Sequence, residues 1–144
     1  MNSSQLYFGD MEMKVEILHD TESVFKATNP SGAEQVIDGA AISGLRPMES
    51  LLNAVASCAA LDLLHILKKQ RQIHNSLKIE VQGFRPDSGA PKPYQKISMH
   101  FILEGKLDRE KVERAVKLSV EKYCSVGASL DPAISISHKT TLID

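Results

Sequence analysis

The chain has 144 residues, 42% of them hydrophobic, which suits a single domain over residues 1–144 with a substantial core. Its formal net charge is −1. Composition therefore excludes the strongly basic surface that binds nucleic acid or an anionic membrane, and neither is expected as a partner.

The first ten residues, MNSSQLYFGD, lack the basic and apolar regions of a secretory signal, so we expect a soluble, cytoplasmic protein. The one candidate for a membrane span, residues 51–67, is slightly short and is interrupted by Asp62 and His65. Two cysteines in a reducing compartment are not expected to form a structural disulfide.

Three short strands are predicted before residue 40. Residues 11–17 alternate apolar and charged side chains, which is the period of a half-buried strand. A second strand covers residues 24–28. The NPSG sequence at 29–32 then predicts a turn, because proline fixes φ and glycine permits positive φ. A third strand at 34–37 completes a β-meander.

Residues 47–70, PMESLLNAVASCAALDLLHILKKQ, predict a long helix that begins at a proline. Over residues 51–67 the clearly polar side chains are few: Asn53, Ser57, Asp62 and His65. A helix that is apolar on nearly every side belongs inside a protein. The remaining strands and the second helix are too small to cover it, so we expect a homodimer in which a partner subunit covers the rest.

Two strands and a second helix follow. Alternating side chains predict strands at 77–82 and 96–104, separated by a proline-rich loop at 85–93. His100 falls on the polar face of its strand, where a solvated side chain is the simplest interpretation.

Asp108 is a good N-cap for a helix whose apolar residues recur with helical spacing over 112–123. Residues 124–127 break that helix, and 134–139 alternate as a last strand. The order βββα-ββ-α-β predicts an α+β fold built mainly on antiparallel pairing.

The two cysteines are the candidate reactive residues. Cys58 lies near the middle of the long helix, and Cys124 lies where the second helix ends. They are either inert core thiols or a redox pair. An apolar setting raises a thiol pKa, whereas thiolate chemistry needs positive charge or free amides nearby. If the residues after Cys124 restart a helical turn, their amides would lower its pKa.

Other partners for Cys58 on its own helix are excluded by geometry. His65 follows it by seven residues, about 10 Å along the axis, too far to accept its proton. Asp62, one turn on, would oppose a thiolate. The other histidines lack the spacing of metal ligands, so no metal site is expected.

Arg46 is the cation closest in sequence to the helix start, and Glu49 could orient it. Glu49 precedes Cys58 by nine residues, which places it 180° around the helix and facing away within one subunit. The pair is therefore either an activating group, from the same or the partner subunit, or a cap for the helix.

Two cysteine motifs carry a resemblance to a known family. The first is a Pro-x-Glu-x-Leu-Leu-x-Ala-x-x-x-Cys helix, formed by Pro47, Glu49, Leu51, Leu52, Ala54 and Cys58. The second is the EKYCSV sequence at 121–126. Together with the element order, which matches over essentially the whole chain, they resemble the OsmC/Ohr superfamily of osmotically induced and organic hydroperoxide resistance proteins.

The resemblance implies an OsmC-like swapped homodimer with its long helix wrapped by antiparallel sheets and its sites at the interface. It implies a thiol peroxidase for organic hydroperoxides that acts in the stress response and needs no metal, haem or flavin. Cys58 would match the cysteine that attacks the peroxide, and Cys124 the cysteine that resolves the resulting sulfenic acid to a disulfide. An external dithiol would reduce that disulfide.

Three positions depart from the peroxidase members. Met48 follows the motif proline where they carry glutamate, and no arginine precedes Arg46 where they place a catalytic one in the N-terminal strands. Ser125 stands after Cys124 where many carry proline. The alternative function is a non-catalytic dimer of the same fold that binds a small apolar ligand or senses redox state.

Overall fold

Residues 12–144, the part of the chain that this computed structural model describes, contain six strands and three α-helices. In chain order they are β1 (Glu16–Thr21), β2 (Val24–Thr28), β3 (Glu34–Asp38), α1 (Pro47–Lys69), β4 (Ser76–Phe84), β5 (Lys96–Glu104), α2 (Arg109–Leu118), a π-helix (Ser119–Tyr123), α3 (Ser125–Ala128) and β6 (Ser135–Ile143). The chain forms two compact units that divide after Ser50. A single domain over residues 1–144 stays a prediction.

The first unit holds an antiparallel meander in the order β1-β2-β3. The second and third strands lie where the sequence predicted them. The first does not: a strand was predicted over 11–17, whereas β1 begins at Glu16. The reason is pairing, because Glu16 faces Thr28, the last residue of β2, and nothing in β2 remains to pair with earlier residues. Met11 lies outside the described residues.

Asp38 fixes the loop that follows β3. Its side chain is buried at 2% exposure and accepts hydrogen bonds from the Ser23 hydroxyl at 2.6 Å and the Ala40 amide at 2.9 Å. It also accepts from the amides of Ser43 at 2.9 Å and Ile42 at 3.2 Å. These bonds, with that of Ser23 the largest contribution, hold the pKa of the Asp38 carboxyl well below its usual range.

The second unit is built on a sheet in the order β4-β5-β6. β4 and β5 are antiparallel, whereas β5 and β6 run parallel, because α2 carries the chain back between them. Both outer strands are longer than the predicted 77–82 and 134–139, since each pairs along the whole of β5. The largest fully buried apolar side chains come from β5 and the helices: Ile97, Met99, Phe101, Leu103, Val55, Leu63, Leu67, Val112 and Val116.

The long helix α1 is buried along one side only. Its buried residues are Val55, Ala56, Ala59, Leu63 and Leu67. Another side is exposed, and there Leu61 is 68% accessible and Leu64 is 36% accessible. By length and composition α1 is also apolar enough to cross a membrane, a test that the core helix of a soluble protein passes equally.

The α+β class and the predicted element order are confirmed, with antiparallel pairing in three of the four strand pairs. The swapped homodimer stays a prediction.

We expect Asp38→Ala to lower the free energy of unfolding, because four hydrogen bonds are lost and three backbone amides of the loop lose their acceptor. The depressed pKa means that this contribution is complete above the ordinary pKa of an aspartate, about 3.9, and is lost as pH falls toward the native pKa. Thermal unfolding from about pH 7 to about pH 2 measures both effects.

Asp87→Ala, in an exposed loop, is the matched control and should leave the unfolding midpoint unchanged. A difference between wild type and Asp38→Ala that stays constant down to acidic pH would contradict the role given to the ionised carboxylate.

Candidate thiol site

Cys124 lies in the interior against the backbone of α1. Its side chain is only 5% exposed, and its sulfur donates to the Val55 carbonyl of α1 over 3.6 Å. The same sulfur accepts a hydrogen bond from the Gly127 amide at 3.3 Å. Two backbone groups therefore hold the Cys124 thiol in place.

Cys58 lies three residues after Val55, on the same stretch of α1, and is half-buried. Its side chain lies close enough to the Cys124 thiol to raise the pKa of that thiol, and both cysteines are free. The structure thus brings together two sulfurs that are far apart in sequence. Sequence spacing carried no information on their distance, and a redox pair requires this proximity.

Burial raises the pKa of the Cys124 thiol. The Gly127 amide acts in the opposite direction, and the neighbouring Cys58 side chain raises the pKa further. The sequence predicted that amides following Cys124 would lower its pKa. Those amides are present, with Gly127 and Val126 both contributing, but burial outweighs them.

The local sequence explains why Cys124 is placed as it is. Before it, α2 passes into the π-helix, where the buried Ser119 hydroxyl donates to the Ala115 carbonyl at 2.7 Å. Cys124 itself is extended, with φ −68° and ψ 103°, and is the N-cap of α3. The π-helix is thus followed directly by one extended residue, and the Cys124 side chain is buried in the interior.

Gly127 contacts the sulfur through its backbone amide. A Cβ built on Gly127 would lie 3.4 Å from the Cys124 sulfur, an ordinary van der Waals distance, so the missing side chain is not what admits the sulfur. From sequence, Gly127 was recognisable only as part of a helix break. The Val55 carbonyl was not predictable, because the side-chain pattern of a helix does not mark which backbone oxygen accepts a second donor.

Arg46 and Glu49 form a helix cap within the first unit. The Arg46 amide donates to Glu49 Oε1 at 2.9 Å, the return bond of a capping box, and Arg46 Nε donates to the Gly39 carbonyl at 3.2 Å. Of the two interpretations left open by the sequence, the cap is present. The activating role of Arg46 and Glu49 stays a prediction.

Asp62, one turn after Cys58, has a fully buried Oδ2 that meets no hydrogen-bond donor among residues 12–144. His65 is exposed. Within those residues no three histidine, cysteine, aspartate or glutamate side chains are grouped so that they could hold a metal ion.

Comparison with known proteins agrees with this architecture. The model of a family described as OsmC-like protein matches residues 38–139, which include both cysteines. Protein YhfA of Escherichia coli strain K12 is 36% identical over 121 residues, covering 83% of this chain and 90% of YhfA.

Solved structures are also similar. A hypothetical protein from Aquifex aeolicus VF5 has a TM-score of 0.79 and 36% identity, covering 94% of this chain and all of its own. OhrB of Bacillus subtilis, an organic hydroperoxide resistance protein, has a TM-score of 0.61 at 20% identity, covering 91% and 98% of the two chains. The similarity to OhrB, at 20% identity, shows a shared fold and nothing further. Because the family match spans most of the chain and relatives at 36% identity match nearly their whole length, this chain belongs to the family of OsmC-like proteins.

Proposed function

We propose that this protein is a thiol peroxidase that reduces organic hydroperoxides. The observation that carries the proposal is the proximity of two free cysteines, one half-buried and one buried. Family membership supports it, since other members of this superfamily are named for organic hydroperoxide resistance.

In the proposed reaction the Cys58 thiolate attacks the outer peroxide oxygen, the O–O bond breaks, and the alkoxide takes a proton to leave as an alcohol. Cys58 becomes a sulfenic acid. The Cys124 thiol attacks its sulfur, and one water leaves as the disulfide forms. An external dithiol then reduces the disulfide and is itself oxidised, so each turnover consumes one peroxide and one dithiol.

The two roles follow from exposure. Cys124 is buried and its pKa is raised, so it presents little thiolate to an incoming peroxide. Cys58 is more accessible. Leu51, Val55 and Leu61 are the apolar side chains of α1 proposed to accept the organic part of the peroxide. Arg46 and Glu49, from the same or the partner subunit, are proposed as activating helpers of Cys58.

The partner in the proposal is a second copy of the chain. Leu61 is 68% exposed and Leu64 36% exposed on α1, in a helix whose composition is that of an interior. Exposed residues recur about every fourth position along this side: Asn53, Ser57, Leu61 and His65. A symmetric pairing of two such helices would cover the exposed leucines.

The alternative is a non-catalytic dimer that binds a small apolar ligand or responds to redox state. One observation favours it: the buried Asp62 oxygen, one turn from Cys58, has no partner among residues 12–144, and negative charge there opposes a thiolate. Cumene hydroperoxide and hydrogen peroxide distinguish the two functions. Rapid loss of both thiols with the organic peroxide supports the enzyme, and slow loss with either oxidant supports the binder.

We expect iodoacetamide to label Cys58 before Cys124 at neutral pH. Burial and a raised pKa both lower the fraction of reactive thiolate that Cys124 presents, so it should react more slowly than Cys58. Because the pKa is raised, labelling of Cys124 should increase as pH rises above neutral. Timed mass spectrometry of the two cysteine peptides measures both rates, and earlier labelling of Cys124 would reverse the assigned roles.

Cys58→Ser should abolish the consumption of cumene hydroperoxide, because no attacking sulfur remains. Cys124→Ser should consume about one equivalent per chain and stop at the sulfenic acid. Peroxide loss is followed with excess dithiol for the wild type and Cys58→Ser, and without dithiol for Cys124→Ser, because a free dithiol would reduce its sulfenic acid. Mass spectrometry of the wild type should find the two cysteine peptides joined after mild oxidation. Equal rates in the wild type and Cys58→Ser would end the proposal.

The homodimer should dissociate in Leu61→Lys, because a charge would then enter the contact between paired helices. Light scattering at micromolar concentration should give the mass of a dimer for the wild type and of a monomer for the variant. Ile73→Lys is the matched control: it makes the same chemical change at an 82% exposed residue outside α1. A monomeric wild type would refute the dimer.

A further inference from the structure

The outer face of the β4-β5-β6 sheet carries a carboxylate, an imidazole and a hydroxyl on three neighbouring strands. Glu80 of β4 lies directly opposite His100 of β5, and His100 lies opposite Lys139 of β6. Thr141 follows Lys139 by two residues and therefore shares its face. This face is opposite to the one on which Met99 and Phe101 are buried.

His100 lies between the other two side chains, at hydrogen-bond distance from Thr141 and at ion-pair distance from Glu80. His100 Nε2 lies 2.7 Å from Thr141 Oγ1, and His100 Nδ1 lies 4.0 Å from Glu80 Oε2. With its proton on Nδ1, the imidazole accepts the Thr141 hydroxyl proton at Nε2 and directs its own N–H toward the carboxylate. In nucleophilic catalysis the nucleophile is hydrogen-bonded to a base, and a third group orients that base.

Charge around the imidazole suits this role. Lys78 binds Glu80 Oε1 at 3.0 Å and is the main cause of a lowered Glu80 pKa, to which His100 and Lys139 also contribute. Glu80 is therefore ionised at neutral pH, and its second oxygen is the one that faces His100. A carboxylate in this place stabilises the imidazolium that forms when the hydroxyl proton is taken.

A groove of about 360 Å³ lies on this face, with Glu80 and His100 in its lining and Thr141 outside it, hydrogen-bonded to His100. Polar side chains dominate its lining: Glu80, Gln82, Ser98, His100, Ser137 and Lys139. Lys139 lies two residues before Thr141 on the same face of β6, which puts a positive charge on the side of the sheet where an oxyanion would form. The groove thus offers hydrogen-bond partners for a small polar acyl group.

We propose that Thr141 is a nucleophile activated by His100, and that this face transfers and hydrolyses small polar acyl esters. Thr141 Oγ1 attacks the ester carbonyl and gives its proton to His100. The ester C–O bond then breaks, and the alcohol leaves with that proton. Water, deprotonated by His100, hydrolyses the acyl-threonine to a carboxylic acid and restores the hydroxyl. Thr141 and His100 are the catalytic residues, and Glu80 is a positioning residue.

The test uses p-nitrophenyl acetate with the wild-type protein. We expect an acetyl group on Thr141, located by fragment ions that separate it from Thr140, and release of p-nitrophenolate. Thr141→Val should remove the adduct, Thr141→Ser should keep it, and His100→Gln should lower its rate of formation about 100-fold. Ser135→Ala, an exposed hydroxyl on the same strand and face, is the matched control and should change nothing.

Acetylation confined to lysines or cysteines, with Thr141 unmodified, would overturn the proposal. So would equal acetylation of Thr141 in the wild type and His100→Gln, since the hydroxyl would then react without its base. Thr141→Val should consume cumene hydroperoxide at the wild-type rate, because the two cysteines are untouched. The proposed esterase activity and the proposed peroxidase activity can therefore be rejected independently of each other.

Discussion

The contact of the Cys124 sulfur with the α1 backbone is the constraint that ties the second unit together. At one end of the contact is the Val55 carbonyl, and the Cys58 side chain lies on the next turn. To bring the Cys124 sulfur to the Val55 carbonyl, the chain leaves α2 through a π-helix, extends for one residue and starts α3 at once. The short elements around residue 124 are therefore explained by where the sulfur has to lie. Gly127 completes the arrangement, because its amide donates a hydrogen bond to the sulfur.

Element types were largely predictable because their causes are local. Alternation of side chains marked β5, and the capping residue Asp108 marked the start of α2, where its side chain accepts from the Lys111 amide. The predictions were wrong or silent where the position or direction of a strand depends on the strand it pairs with. The first strand was placed too early because alternation over 11–17 does not show where its partner β2 ends. The parallel pairing of β5 with β6 was equally invisible, since no single strand encodes the direction of its neighbour.

The same distinction applies to the sites. Arg46 and Glu49 were recognisable as a possible cap from spacing alone, and the structure contains that cap. The proximity of Cys58 and Cys124 depends on how α1 and the end of α2 pack, so only resemblance to a family suggested it. His100 was interpreted as a solvated residue on a polar face. Its bond to Thr141 arises from the parallel register of a strand 41 positions later, which side-chain pattern cannot supply.

The unequal surroundings of the two thiols matter more to the proposed cycle than their individual reactivity. A buried thiol with a raised pKa is a poor first nucleophile. It can still resolve a sulfenic acid formed beside it, because a group held next to its reaction partner has a high effective concentration. The inequality also directs reduction. An external dithiol can approach the more accessible Cys58 sulfur, and Cys124 then leaves as a thiolate that the Gly127 amide stabilises by hydrogen bonding. Burial thus keeps Cys124 from reacting early, and the same raised pKa makes it the slower leaving group, an effect that the Gly127 amide reduces without cancelling.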